Sequence, residues 1–274
     1  MARDIRLIGL DLDGTTFNTQ KEIVPVVAGA IEEAIRAGIV VLPATGRQLQ
    51  GVPKEFLAIP GVRYALVSNG ARVYDLTQKE PIYSDVFDEA TAIRLIEFAR
   101  GFDCLLSAYI GDEGYTEGID FHYYDGLLPP KMVQYMHDTR QLVPDLIEVL
   151  QSGKEELEKF SIVFKDPAER QRCFAAFLER DDCTTTSSMP QNIEVNTSTA
   201  NKGAGLLALG KMLGIERAQI MAIGDGLNDI EMLQTVGYGV AMGNAEPEVL
   251  AAADAVTACC DEAGVAAAIH SVMY

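Results

Sequence analysis

The chain has 274 residues, which is long enough to bury a sizeable core and to form two domains. Its formal net charge of −18 argues against nucleic-acid binding, and no apolar run reaches the about 18 residues of a membrane span. The five cysteines form no C-x-x-C pair and the three histidines are scattered, so we expect reduced thiols, no zinc site and a cytoplasmic location. The first apolar run stops at Asp11, too early for a signal peptide.

Strands and helices alternate in the first third of the chain. Apolar runs predict buried strands at 5–10, 39–42 and 64–67. Between the first two, apolar residues recur at helical spacing across residues 25–35, and Gly38 ends that helix. Strands separated by helices at this spacing are typical of right-handed β-α-β units and of a parallel sheet.

The last third resumes this pattern, whereas the middle of the chain is less regular. A helix at 203–213 leads to a buried strand at 220–223. Between about 83 and 188, short strands and helices follow one another without such regularity. We therefore predict an α/β fold with a Rossmann-like parallel sheet core, formed by residues 1–82 and 189–274, and an inserted α+β domain at 83–188.

Polar and charged side chains follow the predicted strands at the point where each strand ends. Such positions on parallel strands meet at one edge of the sheet, where open α/β sheets bind ligands. Lys202 also precedes a helix expected to pack against this sheet. The residues at the strand ends are Asp11 and Asp13, then Thr45, Gly46 and Arg47, then Asn69 and Gly70, and finally Asp225, Asn228 and Asp229.

Asp11 and Asp13 are the strongest single signal. Two acids at positions i and i+2 leave a strand on the same side, where their charges repel each other unless a cation or a shared proton intervenes. The pair suits one carboxylate as nucleophile, one as acid or base, and a hard cation between them. The same acids followed by Gly14 also form an ordinary turn signal. A calcium loop fits poorly, because Thr16 stands where that loop requires glycine.

Together these residues provide the parts needed for phosphoryl transfer. A metal ion held by the acids would neutralise charge, while a lysine and helix-terminal amides would hold the phosphoryl oxygens and a carboxylate would attack in line. Mg²⁺ is the expected ion, because it favours carboxylate ligands and retained waters.

The chain resembles the haloacid-dehalogenase superfamily of Mg²⁺ phosphatases, and more narrowly its Cof-type subfamily, in which a large α/β cap is inserted between the second and third motifs. The resemblance covers both core segments, and the insert matches by position and size. The matching stretches are DLDGT from Asp11, ATGR from Ala44, NKG from Asn201 and GDGLND from Gly224, with Cof-type phrases at Asn69–Ala71 and Val240–Ala245.

The resemblance implies a role for each candidate residue. Asp11 would be the nucleophile that forms an aspartyl-phosphate. Asp13 would serve as acid and then as base, with its backbone carbonyl toward the metal. Lys202 would pair with Asp11 and the phosphate oxygens. Mg²⁺ would be bound by Asp11, Asp13 and Asp225, with Asp229 further from the ion. The substrate and its phosphoryl group would be bound by Thr45, Gly46, Arg47, Asn69 and Asn228.

Several of these residues also have a simpler structural interpretation. Thr45 suits the N-cap of a following helix, Asn69 suits a turn, and Arg47 suits a salt bridge with an acid of the insert. The loop at Cys259-Cys260 replaces an Asn-containing loop frequent in the family, which leaves its substrate role open. An aromatic cluster in the insert is either packing or a specificity wall over the substrate, and comprises Tyr109, Tyr115, Phe121, His122, Tyr123 and Tyr124.

The expected function is hydrolysis of a small phosphorylated metabolite, a sugar or polyol phosphate, by a Mg²⁺-dependent phosphatase. We expect a monomer or homodimer that binds neither nucleic acid nor membranes. One alternative is a phosphomutase of the same superfamily, in which the phosphoryl group passes to a second hydroxyl. The other is a phosphometabolite-binding sensor without activity, against which the complete set of Asp11, Asp13, Lys202 and Asp225 argues.

Overall fold

The computed structural model describes residues 3–111, 113–118, 120, 122–153 and 156–273. The strands are β1 (Leu7–Leu10), β2 (Val40–Pro43), β3 (Tyr64–Val67), β4 (Arg72–Asp75), β5 (Glu80–Ser84), β6 (Leu105–Ile110), β7 (Glu113–Glu117), β8 (Arg140–Val143), β9 (Leu157–Val163), β10 (Thr184–Thr186), β11 (Asn192–Asn196), β12 (Ile220–Gly224), β13 (Tyr238–Ala241) and β14 (Ala255–Val256). The α-helices are α1 (Pro25–Arg36), α2 (Lys54–Leu57), α3 (Glu89–Ala99), α4 (Pro130–Thr139), α5 (Leu146–Gln151), α6 (Pro167–Leu178), α7 (Lys202–Leu213), α8 (Ile230–Thr235), α9 (Pro247–Ala252) and α10 (Gly264–Met273). Within these ranges, no helix combines the length and the apolar character needed to cross a membrane.

The chain forms two compact units. The first, here called the core unit, comprises the residues up to Arg47, Val52–Ser84 and the residues from Asn201 onward, and the second, the insert unit, comprises Gln48–Gly51 and Asp85–Ala200. The insert unit therefore extends beyond the predicted limit at residue 188. The physical reason is β11, which pairs antiparallel with β9 in the sheet of the insert unit.

The centre of the core unit is a five-stranded parallel sheet in the order β14-β13-β12-β1-β2. All residues of β1 are buried, as its continuous apolar run predicts for a strand covered on both faces. From α1, the side chains of Val27, Ile31 and Ala34 are buried at helical spacing. Leu206 of α7 and Leu7 of β1 belong to one apolar cluster, so α7 packs against the sheet.

The third predicted strand is present but does not extend the parallel sheet as expected. β3 starts an antiparallel three-stranded sheet in the order β3-β4-β5. A parallel bridge between Ala44 and Leu66 joins it to the chain that follows β2. The reason is local: a short turn at Ser68–Gly70 sends the chain straight back into β4, which pairs antiparallel with β3.

The insert unit is built on a six-stranded sheet in the order β10-β11-β9-β6-β7-β8. Its pairs are antiparallel except β7 with β8, which are parallel. One face is apolar and packs against helices, with Phe160 and Ile162 in the same cluster as Leu95, Leu146 and Phe177. The predicted α+β character of the insert is confirmed, whereas α4, α5 and β8 were not predicted.

Two aromatic residues of the insert unit, Tyr109 and Tyr123, make packing contacts, whereas the side chain of His122 is exposed. Tyr109 is buried, and its hydroxyl accepts a hydrogen bond of 3.1 Å from Arg140. Tyr123 packs beside an apolar cluster, and the Nζ atom of Lys165 lies 4.4 Å from its ring centre. Phe121 and the side chain of Tyr124 lie outside the described residues.

Candidate active site

The site lies where β1 and β12 end, within the core unit. The two strands pair in parallel with Leu10 beside Ile223, and the backbone N–H of Asp11 donates to the carbonyl of Ile223 over 2.9 Å. This register places Asp11 next to the loop that begins at Asp225. Lys202 is the first residue of α7, which packs against the same sheet. Three of the predicted catalytic and metal-binding segments therefore meet, as expected from a parallel sheet.

Lys202 is the buried cation of the site. Its Nζ atom lies 2.6 Å from Oδ1 of Asp11 and 2.6 Å from Oδ1 of Asp229. Burial opposes its charge, but the two carboxylates outweigh that penalty and raise the pKa of Lys202 above its ordinary value. Burial and repulsion from Asp229 raise the pKa of Asp11 well above its usual range, against the attraction of Lys202. The ammonium therefore offsets only part of the negative charge.

Asp229 uses its second oxygen to hold the loop after β12. Its Oδ2 atom accepts hydrogen bonds of 3.0 Å from the backbone N–H groups of Asp225 and Gly226. Its other oxygen faces Lys202. A fully buried carboxylate with these partners orders the loop that carries Asp225.

Asp225 lies against the loop that follows β1. Its Oδ1 atom accepts a hydrogen bond of 2.6 Å from the hydroxyl of Thr15. Gly14 has a φ of 85°, and a Cβ atom there would lie 2.2 Å from Oδ2 of Asp225, so glycine is required for this close approach. Burial, helped by repulsion from Asp229 and opposed by the Thr15 hydrogen bond, raises the pKa of Asp225 to about 6.

Three carboxylates form a cluster with the composition of a site for a hard cation. Asp11, Asp225 and Asp229 each offer an oxygen, and these atoms lie within 4.8 Å of one another. Burial is the main cause of the raised pKa values of Asp11 and Asp225, and repulsion from Asp229 adds to it. An oxygen-only donor set with excess negative charge fits Mg²⁺.

The Asp13 carboxylate points to two cations and lies outside that cluster. Nε and Nη2 of Arg47 donate to its two oxygens over 2.9 and 2.8 Å, and Nζ of Lys21 lies 2.7 Å from Oδ1. Burial opposes ionisation of Asp13, but the charges of Arg47 and Lys21 outweigh it and lower its pKa. For Arg47, predicted to meet substrate or an acid of the insert, the structure shows a pairing with Asp13 of the core unit.

The predicted phosphate-binding residues divide into two groups. Thr45 is buried, and its hydroxyl accepts a 3.2 Å hydrogen bond from the backbone N–H of Arg47 within a turn. No helix begins at this point, so Thr45 is not the helix N-cap considered from sequence. Gly46 lies between these two residues in the same turn. The side chains of Asn69 and Asn228 meet, with Nδ2 of Asn228 donating to Oδ1 of Asn69 over 3.2 Å. The structure thus brings together two asparagines that are far apart in sequence.

The turn after β3 also positions Lys202. Gly70 has a φ of 95°, and a Cβ atom there would lie 2.1 Å from the backbone oxygen of Asn201. Any larger residue would push α7 away from this turn. Asn201 in turn caps α7 by accepting a 2.8 Å hydrogen bond from the N–H of Ala204. Close backbone packing therefore fixes the start of the helix that carries the buried lysine.

Three residues at the site were not predicted to have a role. Thr15 lies within a recognised motif and Asn244 within a recognised phrase, but neither residue type alone indicates a contact with Asp225. Lys21 carries no motif at all. Its backbone has a φ of 64°, an uncommon conformation for lysine, and its side chain reaches Asp13.

Comparisons with known proteins give one consistent result. The family model of haloacid dehalogenase-like hydrolases matches residues 8–269. The chain is 28% identical to phosphatase YwpJ of Bacillus subtilis (strain 168), over 96% of this chain and 98% of that protein. It is also 28% identical to pyridoxal phosphate phosphatase YbhA of Escherichia coli (strain K12), over 92% of each chain. A solved structure of a haloacid dehalogenase-like hydrolase from B. subtilis matches it with a TM-score of 0.86 at 26% identity, covering 97% of this chain and 99% of the other.

The family match spans nearly the whole chain, including both core segments and the insert. The predicted resemblance, fold class and enzyme class are therefore confirmed. The chain belongs to the haloacid dehalogenase-like hydrolase family, as a Cof-type phosphoric monoester hydrolase.

Proposed function

We propose that this phosphatase hydrolyses a small phosphorylated metabolite, a sugar or polyol phosphate, with Mg²⁺ and through an aspartyl-phosphate on Asp11. The observation that carries the proposal is the buried contact of 2.6 Å between Asp11 and Lys202 at the end of a parallel strand. A carboxylate fixed by a buried cation at the edge of such a sheet is a positioned nucleophile. The name of the relative YbhA, which refers to pyridoxal phosphate, supports a small substrate.

In the first half of the reaction, the Asp11 carboxylate attacks the phosphorus in line with the ester oxygen. A bond from Asp11 to phosphorus forms while the bond to the ester oxygen breaks. The departing oxygen takes a proton from Asp13 and leaves as the alcohol. The Lys202 ammonium, held by Asp11 and Asp229, is placed to attract the transferred phosphoryl group.

In the second half, water replaces the alcohol. Asp13, now ionised, accepts a proton from this water, whose oxygen attacks the phosphorus. The bond to Asp11 breaks, inorganic phosphate forms and the Asp11 carboxylate is regenerated. The low pKa of Asp13 beside Arg47 and Lys21 favours this base form. To act as the acid, Asp13 has to take up a proton and loosen its contact with at least one of the two cations.

The residues proposed to hold Mg²⁺ are Asp11, Asp225 and the backbone of Asp13, while Asp229 orders the loop around Asp225. When bound, the ion neutralises negative charge on the phosphoryl group and its surroundings. The short distances among the carboxylate oxygens of Asp11, Asp225 and Asp229 support a cation site at this cluster. We further propose that the Asn69–Asn228 pair and the turn containing Thr45 bind phosphoryl or substrate oxygens, since these polar groups lie beside the same strand ends.

The test is turnover of a panel of phosphate monoesters by the purified chain, with and without Mg²⁺. The panel should include sugar and polyol phosphates, pyridoxal phosphate and a chromogenic aryl phosphate. Asp11→Asn keeps the shape but removes the nucleophile, so the rate should fall on the order of a thousandfold or more. Acid quenching during turnover, followed by mass spectrometry, should find a phosphoryl adduct on Asp11.

Each alternative gives a different result in this experiment. A phosphomutase would move the phosphoryl group to a second hydroxyl and depend on a bisphosphate activator. A sensor would bind esters of the panel without releasing phosphate. Full turnover by Asp11→Asn, or full turnover after removal of all divalent metal, would contradict the proposed mechanism.

A further inference from the structure

The segment Cys259–Glu262 of the core unit contacts the loops that carry the proposed metal site. The backbone N–H of Cys260 donates a 2.9 Å hydrogen bond to Oδ1 of Asn244. The carboxylate of Asp261 accepts hydrogen bonds of 2.9 and 3.0 Å from the backbone N–H and the hydroxyl of Thr19. The segment therefore touches both the loop after β13 and the loop after β1.

Asn244 connects this segment to the carboxylate cluster. Its Nδ2 atom donates to the carbonyl of Gly14 over 2.8 Å and lies 3.3 Å from Oδ2 of Asp225. The orientation of the amide is determined, because the N–H of Cys260 can only donate and so requires the oxygen of Asn244 to face it. The NH₂ group must then face Gly14 and Asp225, both of which offer acceptors.

The two oxygens of Asp225 are thus held from two sides. Thr15 donates to Oδ1 and Asn244 to Oδ2, at 2.6 and 3.3 Å respectively. Each carboxylate oxygen has a further lone pair, so both donors can remain while Asp225 binds a cation. Hydrogen-bond partners of this kind fix the orientation of a metal-binding side chain, here Asp225, before the metal ion binds.

We infer that Asn244 is a positioning residue for the metal ligand Asp225, and that the Cys259–Glu262 segment keeps Asn244 in its working orientation through the Cys260 amide. The inference rests on the proposed Mg²⁺ site. On this inference, the Cys259–Glu262 segment supports metal binding and does not contact the substrate. Asn244 is solvent-exposed, so water competes for its hydrogen bonds and the effect of its loss is moderate.

The first test compares Asn244→Ala with the unmodified chain in Mg²⁺ binding without substrate. Calorimetry with Mg²⁺, and electron paramagnetic resonance with Mn²⁺ as a probe, should show affinity weakened about tenfold. In turnover, the Mg²⁺ concentration for half-maximal rate should rise similarly, while kcat at saturating Mg²⁺ stays close to that of the unmodified chain. Thr257→Val is the control, because the Thr257 hydroxyl donates to the carbonyl of Gly264, outside the segment Cys259–Glu262. Among the described residues, this hydroxyl forms no hydrogen bond with Asn244 or Asp225.

The second test isolates the amide of Cys260. This residue opens a short 3-10 turn and follows Cys259, whose backbone is extended, so proline fits there while removing the N–H. Cys260→Pro should weaken Mg²⁺ binding in the same direction as Asn244→Ala. Cys260→Ala removes the thiol and keeps the N–H, and should bind Mg²⁺ like the unmodified chain.

The outcomes separate this inference from the proposed function. If the unmodified chain binds Mg²⁺ and folded Asn244→Ala binds it equally well, the inference is overturned while the proposed function stands. Should Asn244→Ala fail to fold, equal affinities of Cys260→Pro and Cys260→Ala would overturn it. If the unmodified chain binds neither Mg²⁺ nor Mn²⁺, the proposed metal fails together with the inference.

Discussion

The ammonium of Lys202 is fully buried and lies 2.6 Å from a carboxylate oxygen of Asp11, which is itself buried at the end of β1. The same nitrogen lies 2.6 Å from Asp229, so one positive charge is shared by two buried negative charges. With Asp225 nearby, the cluster has three carboxyl groups and one lysine ammonium. We propose that a bound divalent cation offsets this excess of negative charge.

Lys202→Met should remove most activity and destabilise the metal-free protein. Methionine has a similar length but no charge, which leaves the buried Asp11 and Asp229 without their shared cation. Breaking one side of a buried pair typically costs about 3–5 kcal/mol, and losing one charge-stabilising donor costs about 10²–10³ in rate. Urea denaturation and steady-state kinetics measure the two effects. Lys211→Met, an exposed position of the same helix, should leave both values unchanged; a fully active Lys202→Met would remove Lys202 from the mechanism.

Asp13→Asn and Asp229→Asn should respond differently to Mg²⁺. An asparagine at 13 cannot exchange the proton, so we expect a loss on the order of 10²–10⁴-fold that added Mg²⁺ does not recover. At 229 the change weakens the hold on the amides of Asp225 and Gly226, which should mainly lower Mg²⁺ affinity. Rate measurements over a range of Mg²⁺ concentrations separate the two. Recovery of Asp13→Asn but not of Asp229→Asn would mean that the two roles are exchanged.

The strands β1, β2 and β12 of the parallel core were predictable because each is a short continuous apolar run that ends in polar residues, whereas the two-residue strand β14 was not predicted. Asp11 and Asp225 could be expected to meet, since both follow such runs and parallel strands share one edge. The pairing of β3 could not be predicted in the same way. The run Tyr64–Val67 is equally apolar in a parallel or an antiparallel sheet, and the choice depends on the turn at Ser68–Gly70.

The contacts that support the site residues could not be predicted from a sequence pattern. Asn244 and Gly14 are separated by 230 positions, and no periodicity relates a loop asparagine to a distant carbonyl. Lys21 is a partly exposed lysine in a loop, and the side chain of such a residue usually extends into solvent. The limit of the insert was misplaced because Asn192–Asn196 is a polar-alternating strand whose partner, β9, lies far away in sequence.

Lys21→Met should move the high-pH limb of kcat/KM to higher pH. The charges of Lys21 and Arg47 lower the pKa of Asp13, so removing one of them raises it, and more of the acid form persists at high pH. Because the Lys21–Asp13 pair is partly exposed, we expect the high-pH limb to shift by up to about one pH unit. Lys21→Arg keeps the charge and should keep the profile of the unmodified chain. An identical profile in Lys21→Met would show that Lys21 has no influence on the catalytic proton.

The metal-free protein should become less stable as the pH rises through about 6, and Mg²⁺ should counter this loss. Burial and repulsion from Asp229 raise the pKa of Asp225 from 3.8 to about 6, so between these values the folded state binds more protons than the unfolded state. Stability is then greatest where the carboxyl is protonated and falls as the pH rises through the folded pKa. Mg²⁺ binds the ionised form of the folded state, so its stabilising effect should grow over the same interval. Thermal unfolding from about pH 4 to pH 7, in chelator and in Mg²⁺, measures both trends. Asp225→Asn has no proton to release and should show a weaker dependence on pH in chelator; the same dependence in this variant would show that other groups produce it.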